Sequence, residues 1–299
     1  MPNKIYDCII IGGGPAGLCA SVYLKRANID VIIIEKGPFG GKVNYTSIVN
    51  NYLGLNNSFG PDLAEKFYQH ALDNDVEIVG EEVTNVTKKD VFKLETLDNC
   101  YYAKTIIVAT GTKDKKLGVD DEIKYEHRGI SYCAVCDGPM YKNKNVAVIG
   151  GGNSALEEAL YLSKIANKVY LIHRRNEFRA DDILVDKIKE TKNIELVLKN
   201  EVKKLLGENN LEKVVLKDDK ELKVSALFPY IGQIPHTDFL KSLNVCNDSG
   251  YVIVNSNMET SLAGLFAAGD VTNKDLKQII VASGDGAIAA HSVIKFLRG

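Results

Sequence analysis

A predominantly apolar run from Ile5 to Ile11 ends in three glycines, and the residues beyond them, PAGLCASVYLKR, carry apolar positions at helical spacing. A second apolar run, VIII, closes on Glu35. Short continuous apolar runs bounded by glycine and separated by a helical segment predict strand, tight turn, helix and strand of a buried parallel sheet. PDLAEKFYQHALDNDVEIV predicts a helix feeding a strand. The stretch from VEIVGEEV to TIIVATG, broken by KKD and DN, predicts short antiparallel strands returning to the parallel sheet. NVAVIGGGNSALEEALYLSKIANKVYLIH then repeats the opening pattern of strand, glycine loop, helix and strand. The strands and turns of IELVLKNEVKKLLGENNLEKVVLKDDKELKVSALFPYIG complete that second unit.

Two connections interrupt the pattern. The charged segment TKDKKLGVDDE after Gly111 is the first plausible linker, and a return linker is placed near Asp238–Val245, after a Gly/Pro-rich stretch. The final segment, with the strand LFAAGD and an amphipathic helix, is too short for a core of its own and is expected to complete the first unit. The expected organisation is residues 1–113 as the first part of one domain, 114–243 as an inserted domain, and 244–299 as the remainder of the first.

Composition narrows the function classes. An apolar fraction of 45% with 25% charged residues describes a globular chain with useful cores. No apolar run approaches the roughly 18 residues of a membrane span, and the N-terminus enters a strand directly rather than reading as a signal peptide. A net charge of −2 gives no reason to expect nucleic acid. The six cysteines are unevenly spaced and do not resemble a disulfide framework, which fits a cytoplasmic protein. Cys8 and Cys19 read as buried core thiols, and Cys100 and Cys246 as structural.

The glycine loops carry the first chemistry. In GGGPAG, Gly12 permits the tight turn, Gly14 lets a diphosphate approach the backbone, and Gly17 lets the helix pack close to the strand. Glu35 ends the next strand, where an acid hydrogen-bonds the ribose of an unphosphorylated nucleotide. His173 stands as far beyond Gly150 as Glu35 stands beyond Gly12. Here the strand closes on Arg174 and Arg175, with Arg179 one turn further on. Arginines at that place favour the 2′-phosphate of NADP; a solvated basic face or a nucleic-acid patch is the plainer alternative. His173 either helps hold the phosphate or simply ends the strand. The fold class that follows is α/β, with two Rossmann-like three-layer ββα dinucleotide-binding domains, one inserted into the other.

Between the two loops lies YCAVCDG, with Cys133 and Cys136 followed at once by Asp137. A structural zinc site needs four ligands, and neither a second CxxC nor a histidine pair is present. A hydride donor and a dithiol exchange electrons through a group competent in both chemistries, and FAD is such a group. The acid-ended unit is then the FAD site and the Arg-ended unit the NADPH site. Electrons pass from NADPH through flavin to a Cys133–Cys136 disulfide, and on to an external disulfide by thiol–disulfide exchange. Asp137 is the carboxylate beside the pair and the candidate acid–base group, a turn-forming or capping aspartate being the alternative. Asp270, ending the strand in LFAAGD, is a candidate for cofactor hydroxyls or a helix cap.

GGGPAG, YCAVCDG, GGGNSALEEALYLS, IHRRNEFRA and TSLAGLFAAGD, with KQ and GDGAIAA after it, together resemble the low-molecular-weight thioredoxin reductases over essentially the whole chain. The resemblance implies a homodimer that reduces thioredoxin. It also implies that the NADPH domain rotates, so that the disulfide meets the flavin in one arrangement and thioredoxin in the other. Cys136 would be the flavin-proximal thiol, Cys133 the one that attacks thioredoxin, and Asp137 the acid. For FAD it implies contacts from Gly12, Gly14, Pro15, Ala16 and Gly17, from Glu35 and Lys36, and from Gly41, Lys42 and Asn51. Further FAD contacts would come from Val83, from Ala109, Thr110 and Gly111, from Gly269 and Asp270, and from Lys277, Gln278, Ile279 and Ala282, with Gln278 and Ala282 at the isoalloxazine. For NADPH it implies Gly150, Gly152, Asn153 and Ser154, then His173, Arg174, Arg175 and Arg179, then Ile231 and Gly232. No metal is expected.

The chain departs from that pattern at Lys42, where the family usually has Gln, at Lys277 for Arg, at Ala263 for Pro and at His236 for Asn. None removes chemistry the mechanism requires; a charge at Lys42 would alter the flavin potential if it reaches the ring. A flavoprotein reductase of another disulfide carrier is the competing reading. Relatives that feed peroxidases directly often carry extra domains before the flavin loop, for which the start at Gly12 leaves no room. Ferredoxin–NADP reductases of similar fold usually lack the thiol pair, and a nucleotide-binding redox sensor is a further alternative.

Overall fold

In the computed structural model, which describes residues 4–46, 48–49, 51–55, 57–126 and 128–299 without the side chains of Ile48, Val135 and Cys136, strand Ile5–Ile11 lies inside a parallel sheet. Val31–Ile34 pairs with it on one side, with Ile10 opposite Ile33. Cys100–Val108 pairs on the other, with Ile10 opposite Ile107. Glu77–Val79 extends the sheet beyond Val31–Ile34, and Leu265–Ala267, far along the chain, pairs in parallel with Cys100–Val108. The expected antiparallel patch is present as Asn85–Lys88 and Phe92–Glu95, the latter pairing with Cys100–Val108.

Because side chains alternate along a strand, the central one feeds two cores. Cys8 and Ile10 pack with Leu18, Val22 and Val293 on the helical side, while Ile9 and Ile11 pack with Phe92, Leu94 and Val252 on the other. Each fully buried Ile or Leu contributes on the order of 2 kcal/mol relative to exposure. Helix Pro15–Arg26 begins on a proline at its first turn, where the missing N–H costs nothing. Gly17 is required by closeness: a Cβ there would stand 1.9 Å from the Gly12 carbonyl oxygen.

Helix Ile279–Arg298 packs against Pro15–Arg26 and buries Ala282, Ala289, Ala290 and Val293. By length and composition alone it would suffice to cross a membrane. One face of it packs into the core, with Asp285 buried there and ion-paired to Lys274.

The inserted unit repeats the design. Asn145–Ile149, Lys168–His173, Ile194–Leu198 and Ala226–Pro229 form a four-stranded parallel sheet. Val146 and Val148 face helices Asn153–Ser163 and Asp182–Glu190, while Ala147 and Ile149 face an antiparallel layer through Val214, Leu216 and Leu222. Helices, parallel sheet and antiparallel sheet make three layers.

The chain divides into two units, one built from residues up to Lys113 together with Ile234–Gly299, the other Asp114–Gln233. The chain leaves the first unit between Lys113 and Asp114 and returns to it between Gln233 and Ile234. Residues 234–243, assigned from sequence to the inserted domain, fall here in the first unit. Leu240 is buried in the core that holds Val86 and Val245, and the Ser242 hydroxyl donates to the Val86 carbonyl at 3.1 Å. A lone buried leucine on a short 3-10 turn has no periodicity to announce it.

Candidate active site

At the first glycine loop, Glu35 uses both carboxylate oxygens on the backbone. It accepts from the Gly13 amide at 2.6 Å and from the Gly37 amide at 2.7 Å. A carboxylate has about four acceptor positions, so ribose hydroxyls find room on oxygens already aimed by the loop. Beside it lies a cavity of about 350 Å³ that brings Gly12, Glu35, Lys36, Val83 and Thr110 together. Sequence reasoning missed Lys113 on the same wall and noted His236 only as a departure. Burial lowers the His236 pKa, and Lys36, Lys113 and Lys42 add to this while Glu82 opposes it. Thr110 ties this wall together by donating to the His236 carbonyl at 2.7 Å.

Gly40 donates its amide to the Gly13 carbonyl at 2.8 Å, so the segment GPFGG, residues 37–41, lies against the first loop. Gly41 opens the 3-10 turn Gly41–Tyr45, on which Lys42 is exposed. Ala109 donates to the Ile11 carbonyl at 2.7 Å, and Gly111 follows it with φ +62°. From the other end of the chain, a Cβ on Gly269 would come within 3.0 Å of the Ala16 Cβ and 3.4 Å of the Ala282 Cβ. Gly269 also donates to the buried Asp285 at 3.2 Å, which fixes the turn bearing Asp270. Asn51 and Gln278, 227 residues apart, share a 2.8 Å hydrogen bond just before Ile279 opens the last helix. Lys277 is held by the Tyr251 hydroxyl at 2.7 Å.

In the inserted unit Asn153 and Asp181 exchange two hydrogen bonds of 2.9 Å, which ties the start of the helix to the loop after Arg179. Arg174, Arg175 and Arg179 are exposed, and a shallow cavity of about 260 Å³ is lined by residues 175–179. His173 is not on that open face. It is 5% exposed, and a Cβ on Gly151 would fall 2.2 Å from its ring. Its Nε2 sits 3.1 Å from the Glu177 carbonyl, and the ring stacks on Phe178. Burial pushes its pKa down, with Arg179, Arg174 and Arg175 adding to this and the Glu177 carbonyl opposing. A neutral, enclosed ring shapes the arginine loop from beneath. At both Gly14 and Gly152 a Cβ would meet nothing within 4 Å, so the middle of each loop faces open space where a diphosphate can reach backbone amides. Ser154 is exposed beside the second loop, and Ile231 and Gly232 follow strand Ala226–Pro229.

The redox turn is pinned through its main chain. The Ser131 hydroxyl accepts the Cys133 amide at 3.1 Å, the Tyr230 hydroxyl accepts the Ala134 amide at 2.9 Å, and the Asp137 amide donates to the Cys133 carbonyl at 3.1 Å. Tyr132 is anchored on Glu122 at 2.9 Å, and that buried carboxylate also accepts the Leu117 and Gly118 amides. Cys133 is disulfide-bonded; the Cys136 side chain lies outside the described residues. Cys8, Cys19, Cys100 and Cys246 are free, and burial pushes the Cys8 thiol up to about 12, leaving it inert. Among the described residues no cluster of three or more His, Cys, Asp or Glu could hold a metal.

The family model for pyridine nucleotide-disulphide oxidoreductases matches residues 6–286. The chain belongs to that family. The thioredoxin reductase of Ureaplasma parvum is 42% identical over 97% of this chain and 96% of its own length, and that of Mycoplasma pneumoniae is 44% identical over 97% and 94%. Among solved structures, Lactococcus lactis thioredoxin reductase in its FR conformation superposes with a TM-score of 0.82 at 36% identity, covering 98% of this chain and 99% of that one. The Streptococcus pyogenes thioredoxin reductase gives 0.81 at 40% identity, with 99% of both chains covered.

Sequence reasoning also missed Glu158 in this pyridine nucleotide-disulphide oxidoreductase. One of its carboxylate oxygens is buried without a protein partner. Burial, with Glu157 adding, raises the carboxyl from 4.5 to about 7. The folded chain then holds a proton that the unfolded chain releases above about pH 4.5, so stability falls as pH rises towards 7 and is level beyond it. The shift bounds the loss at about 3 kcal/mol. Glu158→Gln is expected to gain on the wild type in urea unfolding between pH 5 and pH 8; a gap between them that does not change with pH would refute the buried-carboxyl account.

Proposed function

We propose that this chain is an NADPH-dependent thioredoxin-disulfide reductase. The observation that carries the reading is a disulfide-bonded Cys133 in a turn pinned inside the same unit as a second glycine loop and three exposed arginines. The residues present fit two nucleotides: an aimed carboxylate and an open Gly14 in the first unit, and an open Gly152 with Arg174, Arg175 and Arg179 in the second. FAD in the first unit supplies the two-electron chemistry that joins a hydride donor to a disulfide.

The protein's own steps follow. Glu35 holds ribose hydroxyls, and the arginines hold the 2′-phosphate that distinguishes NADPH from NADH. Two electrons and one proton cleave the Cys133–Cys136 bond, leaving one thiol and one thiolate. The Cys133 sulfur attacks the thioredoxin disulfide, forming a mixed disulfide and expelling a thioredoxin thiolate. Cys136 then attacks Cys133, restoring the internal disulfide and releasing the second thioredoxin sulfur. Asp137 holds and returns the proton that a departing thiolate needs. The disulfide has to reach the flavin in one arrangement and thioredoxin in another, so the inserted unit rotates during the cycle. The enzyme is proposed to act as a cytoplasmic homodimer.

NADPH oxidation with purified thioredoxin from the same source, set against other disulfide carriers, tests the reading. Reduction of thioredoxin in preference to the others is expected. Reduction of another carrier with none of thioredoxin would sink it.

A further inference from the structure

Two features of the inserted unit converge on Tyr230, which follows strand Ala226–Pro229. Its amide donates to the Ile149 carbonyl at 2.7 Å. Its carbonyl lies so close to the glycine loop that a Cβ on Gly150 would stand 2.5 Å from the oxygen. Its hydroxyl accepts the Ala134 amide at 2.9 Å, inside the turn between the two cysteines. One residue thus braces the nucleotide loop with its main chain and the redox turn with its side chain. Burial pushes the phenol up, with Glu158 adding to this, so the hydroxyl stays neutral.

We propose that Tyr230 is a positioning residue that couples nucleotide occupancy of the Gly150 loop to the redox state of the Cys133–Cys136 turn. This rests on reading the unit as the NADPH site and the cysteines as the redox pair. A disulfide confines its two Cα atoms to roughly 4.4–6.8 Å, while two thiols carry no such restraint. The turn therefore has two states, and they differ in how closely they fix the Ala134 amide. The Ala134–Tyr230 bond belongs to the state in which Cys133 is disulfide-bonded. A nucleotide that settles the Gly150 loop against Tyr230 holds the hydroxyl where that bond forms, and so favours the disulfide. By linkage, the disulfide favours the nucleotide by the same factor. The path is short and contiguous, with a bistable element at one end.

Tyr230→Phe deletes the hydroxyl and keeps the ring. The holoenzyme is equilibrated in glutathione redox buffers with and without saturating NADP⁺, and the Cys133–Cys136 peptide is scored by alkylation and mass spectrometry. In the wild type, NADP⁺ is expected to move the equilibrium about fivefold towards the disulfide, at the low end of ordinary coupling; that is about 20 mV for a two-electron couple. In Tyr230→Phe, which still binds NADP⁺ in direct titration, the displacement should fall below about 1.5-fold. A displacement equal to the wild type's overturns the role, as does a wild type that binds NADP⁺ without any displacement. A wild type that binds no NADP⁺ overturns the cofactor reading and this inference with it. If the variant does not fold, hydrogen exchange of the Ala134 amide in the wild type decides: slower exchange with NADP⁺ is expected, and unchanged exchange refutes the coupling.

Discussion

Cys133→Ser is expected to leave NADPH-driven flavin reduction within about twofold of the wild type while lowering thioredoxin-dependent NADPH oxidation on the order of 10³-fold or more. The thiolate is the nucleophile of disulfide exchange, and a serine hydroxyl is neither ionised at neutral pH nor able to form the mixed disulfide. The turn itself should survive, because main-chain groups anchor it apart from the Ala134–Tyr230 bond: the residue 133 amide on Ser131 and the residue 133 carbonyl beneath the Asp137 amide. The residues proposed to hold flavin and nucleotide lie on other segments. Electrons therefore enter and stop. Rapid-mixing absorbance of the flavin and steady-state NADPH oxidation separate the two halves of the cycle. Turnover retained at more than a few per cent would move the attacking role to Cys136. Loss of flavin reduction as well would mean that residue 133 also serves the first half-reaction.

Features that repeat along the chain were legible in the sequence. The strand, glycine loop, helix and strand of residues 5–35 and of residues 145–173 could be read because a parallel strand buried on both faces is a continuous apolar run. The necessity of Gly17 follows from the same unit, and the 1.9 Å approach of its absent Cβ to Gly12 is the physical form of the motif. Contacts that depend on which residue lies across from which were not legible. Tyr230 reaches Ala134 across 96 residues, and no periodicity connects them. Leu240 closes a core begun at Val86, which is why the return crossing comes earlier than composition suggested. His173 occupies the motif position of a phosphate contact, yet its ring is the floor under Gly151. Spacing located the residue on the loop; only packing decided which way its side chain went. Glu158 is the clearest case, since a glutamate on an amphipathic helix reads as solvated until the neighbouring layer covers it.

The combined Arg174→Ala, Arg175→Ala change is expected to raise the KM for NADPH about 100-fold and to leave that for NADH within about twofold, each charge-assisted contact to a phosphate being worth roughly tenfold or more. Both arginines are exposed and so available to a ligand. His173 beneath them is held by Gly151, Glu177 and Phe178 rather than by either guanidinium. The loop should therefore keep its shape when the side chains are shortened. Arg179 adds a safeguard of the same kind, since its backbone amide donates to the Gly151 carbonyl at 2.7 Å whatever its side chain does. On the proposed reading, removing the two charges is expected to remove recognition of the 2′-phosphate while leaving the glycine loop proposed to take the diphosphate of either cofactor. Salt gives an independent readout. Exposed charges are screened over roughly 10 Å at 0.1 M ionic strength, so the wild-type KM for NADPH should climb with salt, and that climb should flatten in the double variant. Equal losses with NADPH and NADH would mean that the arginines hold the loop rather than the phosphate. An unchanged KM for NADPH would place the 2′-phosphate elsewhere and return these residues to a solvated basic face.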